Sequence, residues 1–307
     1  MKKIYHVLDH LTDFDPSKTD VNYRLFILGC GGTGGYVAQH VTQIRKLISP
    51  NSEIFLIDPD IVENKNLNNQ LFIERDIGKT KASVLKERYT VAYNMRISIH
   101  DSHYIETLEQ LNEIVKCTNY IPTDNYRYKI TFNVIIGCVD NNFTRRLINQ
   151  YFNQVENLIY IDAGVEGGTI PQDKTLTDMS TWTIEEKERY IESGYIGQVC
   201  VGVRANGKTI IPPVCEVFPN LLIEAADELK PSESCSSLLQ SEPQRLITNR
   251  YAALVIAGYI NELLSTDTIR NHYTVFNSRD NSSSPSPLPT EEDLEIFKAI
   301  QEETIGN

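Results

Sequence analysis

A repeated alternation of short apolar runs and helix-like patterns constrains the fold of this chain more than any other feature. Nearly uninterrupted apolar runs lie at residues 23–28, 53–57, 132–137 and 158–163, and stretches with helical periodicity separate them. Strands that are apolar on both faces belong in a parallel sheet that helices cover on both sides. The sequence therefore predicts an α/β protein built on a mostly parallel sheet with helices on both faces.

The second half of the chain departs from this alternation. Residues 170–196 are polar and are interpreted as an insertion with one helix. In the next segment, 197–245, the pair Asn206-Gly207 stands between two apolar runs, which is typical of a tight β-hairpin. Antiparallel strands and a crossover-like loop are therefore expected to extend the sheet in the C-terminal half.

The length of the chain allows one large domain. It has 307 residues, and a single domain is expected over residues 1–277, since α/β domains of about 250 residues are common. Residues 281–290 are rich in Ser and Pro, a composition that favours an extended and flexible segment. Residues 278–307 are accordingly predicted to form a flexible linker and a short tail helix.

Composition narrows the class of protein. There are 29 Lys and Arg against 41 Asp and Glu, a net charge of −12, which disfavours binding to nucleic-acid phosphates. No run approaches the roughly 18 apolar residues that span a membrane, and the first residues lack the apolar core of a secretion signal, so a cytoplasmic protein is expected. None of the six cysteines belongs to a C-x-x-C pair. Neither a disulfide framework nor a structural zinc site is therefore predicted.

A glycine-rich segment, residues 29–35 (GCGGTGG), joins the first apolar run to the first helical pattern. Glycines at such a turn let the backbone approach a phosphate closely, and the start of a helix supplies N–H donors. Asp58 ends the second strand, 24 residues after Gly34, where Rossmann-like sites place an acid on the ribose. These features suit a nicotinamide-dependent oxidoreductase as well as an ATP-binding enzyme.

The loop that follows Asp58 separates these alternatives. Residues 58–72 are rich in Asn, and Lys79 and Lys81 stand at the start of the next helical pattern. A hydride-transfer site has little use for such a loop. A triphosphate site, in contrast, uses amides and lysine charge to hold phosphate oxygens. The loop therefore favours ATP.

Three ordered motifs resemble those of the ThiF/MoeB/HesA adenylating enzymes, relatives of the ubiquitin-activating enzymes. The family pattern is a glycine loop, then D-x-D-x-V-x-x-x-N-L-N-R-Q with G-x-x-K-A, and then D-N-x-x-x-R. In this chain the corresponding segments are residues 29–35, 58–82 and 140–145. The resemblance covers residues 23–165 well and the remainder loosely.

The resemblance implies roles for individual side chains. The residues that would contact the nucleotide are Gly29, Gly31, Gly32, Gly34, Asp58, Asn66, Asn69, Gln70, Lys81 and Asn141. Asp140 would bind Mg²⁺, which prefers carboxylate and phosphate oxygens, and Arg145 would support that site. Lys81 would offset the charge of the phosphates. Two simpler interpretations stay open: Asp140 could cap the next helix, and Lys81 and Arg145 could be solvated.

One position departs from the family pattern. The arginine of N-L-N-R-Q, which in the family meets the phosphates, is Asn69 here. The N-terminal region also lacks an R-Y-x-R-Q segment, which in the family often supplies an arginine to the partner subunit. Lys65, Arg75 and Lys79 are candidates to supply the lost charge, and without such compensation a weakened or specialised adenylating site is expected.

The resemblance implies adenylation of the C-terminal carboxylate of a ubiquitin-like protein or peptide, with ATP and Mg²⁺, by a homodimer. Residues 212–221 and 233–236 resemble in particular the ThiF-like component of PRTRC systems, mobile-element gene sets that also encode ubiquitin-like and JAB-type proteins. Transfer of the acyl group to a thiol would use Cys235, with Cys215 as second choice, since a nucleophilic cysteine needs an accessible loop. The alternatives are a catalytically silent nucleotide-binding module and a Rossmann oxidoreductase.

Overall fold

Strands and helices alternate along most of the molecule. A computed structural model of the protein describes residues 3–10, 19–116, 120–124, 127–172, 174–223, 229–234 and 243–306. The strands are β1 Tyr5–His6, β2 Thr19–Leu28, β3 Glu53–Ile57, β4 Ser98–His100, β5 Tyr120–Asp124, β6 Arg127–Gly137, β7 Leu158–Val165, β8 Ile196–Ala205, β9 Lys208–Ile211, β10 Thr268–Ile269, β11 Asn271–Asn277 and β12 Ser282–Pro287. The α-helices are α1 Gly34–Ile48, α2 Lys81–Tyr93, α3 Leu108–Val115, α4 Asn142–Gln154, α5 Ile184–Glu192, α6 Val214–Val217, α7 Pro231–Ser234, α8 Leu246–Thr266 and α9 Glu291–Gly306.

Ten of the strands form one sheet in the order β12-β11-β8-β7-β6-β2-β3-β4, with β5 beside β6 and β9 beside β8. The strands from β4 to β7 in this order are parallel. The pairs that continue to β8, β11 and β12 are antiparallel. The predicted fold class is confirmed: a Rossmann-like parallel sheet extended by antiparallel strands from the second half.

Helices cover both faces of the parallel strands because these strands are apolar on both sides. In β2, Leu25 and Ile27 belong to a core that also contains residues of α1, α2 and α8. Phe26 and Leu28 face the other way and share a core with residues of α3 and α4. All four side chains are buried, so the continuous apolar runs correspond to two-sided burial.

The predicted hairpin is present between β8 and β9. Asn206 and Gly207 connect the two strands, with φ of 49° and 72°. Positive φ at both central residues is what a type I′ turn requires, and Asn-Gly satisfies it with little strain. The outer edge of β8 is shared between β9 and β11, which continues the sheet.

The segment expected to be a flexible linker contains a strand instead. Residues 282–287 form β12, which pairs antiparallel with β11, Ser283 lying opposite Phe276. Pro285 and Pro287 lack N–H groups, and an edge strand tolerates this loss because one of its sides has no neighbour. Local composition did not indicate this strand, since the pairing depends on the free edge of β11. The tail helix follows as α9.

The polar insertion packs against the start of α8. Its helix, α5, begins after Thr183 with a capping box: Thr183 and Glu186 each accept the other's backbone N–H. The Arg245 guanidinium lies 4.7 Å from the ring centre of Tyr190 and 4.5 Å from that of Tyr195. Stacking of a guanidinium on aromatic faces is favourable, and it fastens the insertion to α8.

Candidate nucleotide-binding site

The glycine loop connects β2 to α1 in a turn that only glycines permit. Gly29 has a φ of 89°, which side chains disfavour. A Cβ on Gly34 would lie 1.8 Å from the carbonyl oxygen of Gly29. The glycine spacing in the sequence is therefore explained by the close packing of the turn against itself.

The loop presents a row of backbone N–H groups. The amides of residues 31–34 have no hydrogen-bond acceptor among the residues that the structure describes. The first intrahelical bond of this region is made by Gly35, which donates to the Gly31 carbonyl at 3.0 Å. Open amides at the start of a helix attract an anion, and the helix dipole adds to this attraction. The loop can thus hold phosphate oxygens.

Asn249, on α8, packs against the glycine loop and accepts a hydrogen bond from it. It is 1% exposed, and its Oδ1 accepts a hydrogen bond from the Thr33 hydroxyl at 3.1 Å. Thr33 occupies the N-cap position of α1 but makes no side-chain cap bond. A Cβ on Gly32 would lie 2.4 Å from Nδ2 of Asn249. The loop is therefore packed directly against a residue from the second half of the chain.

Asp58 stands at the end of β3, next to the glycine loop. Its carboxylate accepts the N–H of Cys30 at 2.6 Å and the N–H of Asp60 at 2.8 Å. The side chain is 6% exposed, and burial raises its pKa to about 6 although Lys81 lowers it. A buried carboxylate at a strand end beside a glycine loop is well placed to accept hydrogen bonds from ribose hydroxyls.

Lys81 is buried at the first residue of α2 and forms an ion pair with Asp60, Nζ to Oδ2 at 2.7 Å. Asp60 also accepts a hydrogen bond from the Tyr104 hydroxyl. Burial alone would lower the pKa of Lys81, but Asp58 and Asp60 together raise it above its ordinary value. Lys81 is therefore charged at neutral pH, and the solvated interpretation of this lysine is wrong, since it is 8% exposed.

The Asn-rich loop contributes two oxygen atoms without protein partners. Oδ1 of Asn69 and Oε1 of Gln70 are buried and have no hydrogen bond to any described residue. The Gln70 amide lies next to Gly31, where a Cβ would be 3.7 Å away. Asn66 differs, because its Oδ1 accepts the backbone N–H of Glu63 at 2.9 Å and shapes the loop. Unpaired buried polar atoms beside the glycine loop are what a polar ligand would satisfy.

The proposed replacements for the missing arginine are engaged with acids or exposed. Lys65 lies 2.6 Å from Glu63, and Lys79 lies 3.6 Å from Glu87. Arg75 is exposed. Lys81, in contrast, pairs with Asp60, and its charge lowers the pKa of both Asp58 and Cys30, which belongs to the glycine loop, against the larger effect of burial.

Asp140 and Asn141 follow β6, which is the neighbour of β2 on the opposite side from β3. Asn141 is the N-cap of α4, with Oδ1 accepting the Thr144 N–H at 2.8 Å. The capping alternative for Asp140 is therefore wrong. Asp140 is exposed and makes no hydrogen bond or ion pair to the described part of the chain. A free carboxylate beside a phosphate site suits Mg²⁺, which takes one or two carboxylates together with phosphate oxygens.

Arg145 is buried behind Asp140 and points into the protein. Its Nε donates to Oδ1 of Asp162 at 3.0 Å, and its two amino groups donate to Asn142 and to the carbonyls of Val139 and Ala163. Tyr160 donates to the other oxygen of Asp162 at 2.7 Å. The solvated interpretation of Arg145 is wrong. The guanidinium instead fixes the turn that presents Asp140.

Burial makes the described cysteines poor nucleophiles. The pKa of Cys30, Cys138 and Cys200 is raised above its ordinary value by burial, and that of Cys215 is raised to about 12. Thiols of this kind have almost no thiolate at neutral pH. Cys235, the predicted acyl acceptor, lies outside the described residues.

Five side chains of the site received no functional role from the sequence, although Asp60 belongs to the D-x-D motif: Asp60, Tyr104, Tyr160, Asp162 and Asn249. The two aspartates carried a usable signal, since both stand at or next to the end of an apolar strand. The tyrosines and Asn249 looked like ordinary members of a loop, a strand and an apolar helix. Only the three-dimensional packing brings them to the motifs.

A glycine loop at the point where β2 separates β3 from β6, with carboxylates on both neighbouring strand ends, places the chain in the doubly wound α/β class, whose members bind ligands at this point of the sheet. Within that class, the sequence model described as the ThiF family matches residues 15–236. The chain belongs to the ThiF family.

Comparisons with individual proteins agree with this assignment. The human ubiquitin-like modifier-activating enzyme 6 is 30% identical over 130 residues, 42% of this chain and 11% of that enzyme. Solved structures of E. coli MccB with ATP and of MccB with N-formylated MccA superpose with TM-scores of 0.51 and 0.54 at 19% identity, each covering 86% of this chain. PaaA superposes with a TM-score of 0.52 at 14% identity over 87% of this chain. At these identities the structural likeness shows the fold.

The chain spans less than two thirds of the length of these relatives: 63% and 64% of the MccB chains and 64% of PaaA. Within the described ranges, no helix has the length and apolar character to cross a membrane. The same ranges contain no group of three or more His, Cys, Asp or Glu side chains arranged around a common metal position.

Proposed function

We propose that the protein adenylates the C-terminal carboxylate of a peptide or ubiquitin-like protein, using ATP. The observation that supports this most directly is the set of groups that converge at one edge of the sheet. The amides of residues 31–34, which have no acceptor in the described part of the chain, follow β2. The buried Asp58 ends the neighbouring strand β3, and the exposed Asp140 follows β6, the neighbour of β2 on the other side. Family membership supports an adenylating enzyme in general.

In the proposed reaction, the glycine-loop amides and Lys81 hold the phosphate oxygens, and Asp58 accepts the ribose hydroxyls. A carboxylate oxygen of the substrate forms a bond to the α-phosphorus of ATP. The bond from that phosphorus to the oxygen that bridges the α- and β-phosphates breaks, and pyrophosphate leaves with that oxygen. Fixed cations and N–H donors offset the charge that develops on the phosphates. The product is a mixed anhydride of the substrate and AMP.

Asp140 would hold Mg²⁺ together with phosphate oxygens, and the metal would supply Lewis-acid neutralisation of the phosphate charge. Arg145 would act only through the turn that it fixes. Transfer of the acyl group to Cys235, a homodimeric assembly and a cytoplasmic location remain parts of the proposal that rest on the sequence resemblance.

The names of the similar proteins support the proposed substrate class. One relative is by name an activating enzyme for a ubiquitin-like modifier, and MccB has been solved with MccA and with ATP. Both relatives support a polypeptide substrate, and the MccB structure with ATP supports ATP as the second substrate.

Pyrophosphate exchange tests the proposal. Purified protein is incubated with ATP, Mg²⁺, labelled pyrophosphate and small ubiquitin-like proteins that end in Gly-Gly. Label is expected to enter ATP with the free carboxylate and not with the C-terminally amidated form of the same protein. Asp140→Ala is expected to abolish exchange. Absence of exchange with every carboxylate, together with unchanged ATP binding in Asp140→Ala, would contradict the proposal.

A second function, a nucleotide-binding module without catalysis, is favoured by one observation. Asn69 replaces the family arginine, and its amide supplies no charge to the phosphates. If this alternative is correct, the wild-type protein binds ATP without exchange, and Asn69→Arg raises exchange from zero.

A further inference from the structure

The ammonium group of Lys81 has two carboxylates nearby but pairs directly with only one of them. Its Nζ lies 2.7 Å from Oδ2 of Asp60. Asp58 contributes to the charge environment of Lys81 but makes no direct ion pair with it in the described structure. Lys81 has three N–H donors, so after its bond to Asp60 it can still donate toward a nucleotide.

Asp58 keeps acceptor capacity because the nearby Lys81 makes no direct ion pair with it in the described structure. Its Oδ2 accepts the N–H of Cys30, and its Oδ1 accepts the N–H of Asp60. A carboxylate can accept about four hydrogen bonds, so roughly two positions remain for the ribose. An ammonium group on Asp58 would occupy one of them and would draw the carboxylate away from the sugar.

Asp60 is itself held from both sides. The Tyr104 hydroxyl donates to Oδ1, and Lys81 donates to Oδ2. The Asp60 carbonyl also accepts the backbone N–H of Lys81 at 2.8 Å. With both carboxylate oxygens engaged, the Asp60 side chain has one orientation, and this fixes the position of the Lys81 ammonium group.

We propose that Asp60 is a positioning residue that holds the Lys81 ammonium group and so prevents it from pairing directly with Asp58. Through this separation Asp58 stays available to the ribose, and Lys81 stays available to the phosphates. The inference rests on the nucleotide site of the proposed function, and it adds a device for sugar recognition in which Asp60 does not touch the ligand.

The test is calorimetric binding of ATP, 2′-deoxy-ATP and 3′-deoxy-ATP to the full chain. Wild-type protein is expected to prefer ATP over at least one deoxy analogue by about tenfold, the effect of one hydrogen bond to a charged acceptor. Asp60→Asn is expected to bind ATP about tenfold more weakly and to lose most of the sugar preference, because Lys81 then pairs with Asp58. A merely structural Asp60 would weaken all three nucleotides equally.

A second substitution distinguishes repositioning from damage. In Asp60→Asn combined with Lys81→Met, no ammonium group is left to occupy Asp58. The sugar preference is expected to return, although overall affinity stays low. A double variant that still lacks the preference would overturn the inference.

Asp76 offers a matched control on the same loop. It is buried and pairs with Arg88 at 2.9 Å, and Arg88 also donates to the Leu71 carbonyl. Asp76→Asn removes a carboxylate that is likewise paired with a cation, without touching Lys81, and thermal unfolding reports its effect on stability. The full sugar preference is expected to persist in this variant.

The possible failures are separable. Wild-type protein that binds no ATP overturns the proposed function together with this inference. Wild-type protein that binds ATP without a sugar preference, or an Asp60→Asn variant that keeps the full preference, overturns the inference alone.

Discussion

Two ion pairs near the glycine loop differ in how far they are buried. The closed pair is Arg145 with Asp162, and the open pair is Lys81 with Asp60. Arg145 and Asp162 are 10% and 1% exposed in their side chains. The guanidinium donates to a carboxylate, an amide and two carbonyls, all of them within the protein. Lys81 and Asp60 are 10% and 27% exposed, and the lysine side chain makes a single hydrogen bond to a described residue.

The difference in burial between the two pairs matches the different chemistry of a guanidinium and an ammonium group. A guanidinium is planar and its donors form a fixed fork, so Arg145 can hold several groups of a turn at once. An ammonium group is a point charge on a flexible stem, so Lys81 can keep one partner and still reach a second. The closed pair therefore serves the position of Asp140, and the open pair is available to a ligand.

Arg145→Leu is expected to produce the largest effect, because it leaves Asp162 charged and buried without its partner. Loss of one member of a buried ion pair costs about 3–5 kcal/mol, and urea denaturation would measure this loss in the free energy of unfolding. Arg146→Leu is the matched control, since Arg146 is only half-buried. If Arg145→Leu is as stable as the control, the pair of Arg145 and Asp162 does not stabilise the fold more than an ordinary surface arginine does. The proposed difference between the two pairs would then be contradicted.

Lys81→Met should act on activity much more than on stability. Pyrophosphate exchange is expected to fall about 10²-fold, as when a donor to developing charge is removed. The free energy of unfolding should change far less than in Arg145→Leu, because Asp60 keeps its bond to Tyr104 and partial contact with water. Lys79→Met, two residues away and exposed, serves as control. Equal losses of activity in the two lysine variants would argue against a specific role for Lys81.

The site should also respond to pH through Asp58, which lies near the open pair but is not part of it. Its pKa is raised from 3.8 to about 6, and the ionised form is the better acceptor. ATP affinity is therefore expected to rise by about tenfold between pH 5 and pH 7, which reflects release of a single proton. Calorimetry over this range would measure the change, and in Asp58→Asn the profile should be flat.

The raised pKa of Asp58 has the opposite effect on the stability of the fold: ATP affinity should rise with pH, whereas the contribution of Asp58 to stability should fall. Between pH 3.8 and about 6 the unfolded state has already lost the proton that folded Asp58 keeps. Stability falls with rising pH wherever the unfolded state binds fewer protons. Asp58 thus lowers the free energy of unfolding above pH 6, and Asp58→Asn is expected to remove this contribution. A variant whose stability follows the wild-type pH profile would contradict the raised pKa.

Tyr160→Phe should give the smallest effect. It removes one hydrogen bond to Asp162 and leaves the pair with Arg145 intact, so a loss of about 1 kcal/mol is expected. Denaturant titration would measure it, and ATP affinity should stay at the wild-type value. A large change in ATP affinity would mean that the closed pair also acts on the ligand.

The sequence was sufficient to predict the position in the fold of those parts of the candidate site that are local in the chain. The glycine loop, Asp58 and Asp140 follow apolar strands directly, and in a parallel sheet the strand ends meet at one edge. The Asn-Gly hairpin was predictable for the same reason, since its turn geometry depends on two adjacent residues. These predictions needed no information on packing.

The parts that the sequence did not reveal depend on contacts between distant residues. Asp60 and Lys81 are 21 positions apart, and both carry charges that a solvent-exposed loop would also show. Tyr160 resembles any aromatic residue of a buried strand, although its hydroxyl caps Asp162. Strand β12 depends on the free edge of β11 rather than on its own Ser and Pro composition. In each case the deciding partner is supplied by the tertiary structure.

The bond from Thr33 to Asn249 has a consequence for protein synthesis. The two residues are 216 positions apart, which corresponds to a delay of about 10–40 s at ribosomal rates of about 5–20 residues per second. During that interval the glycine loop has been made but lacks the side chain that packs behind Gly32. A nascent or truncated chain that ends before α8 should therefore have a less ordered glycine loop, and any ligand that needs the ordered loop would bind only after α8 has been made.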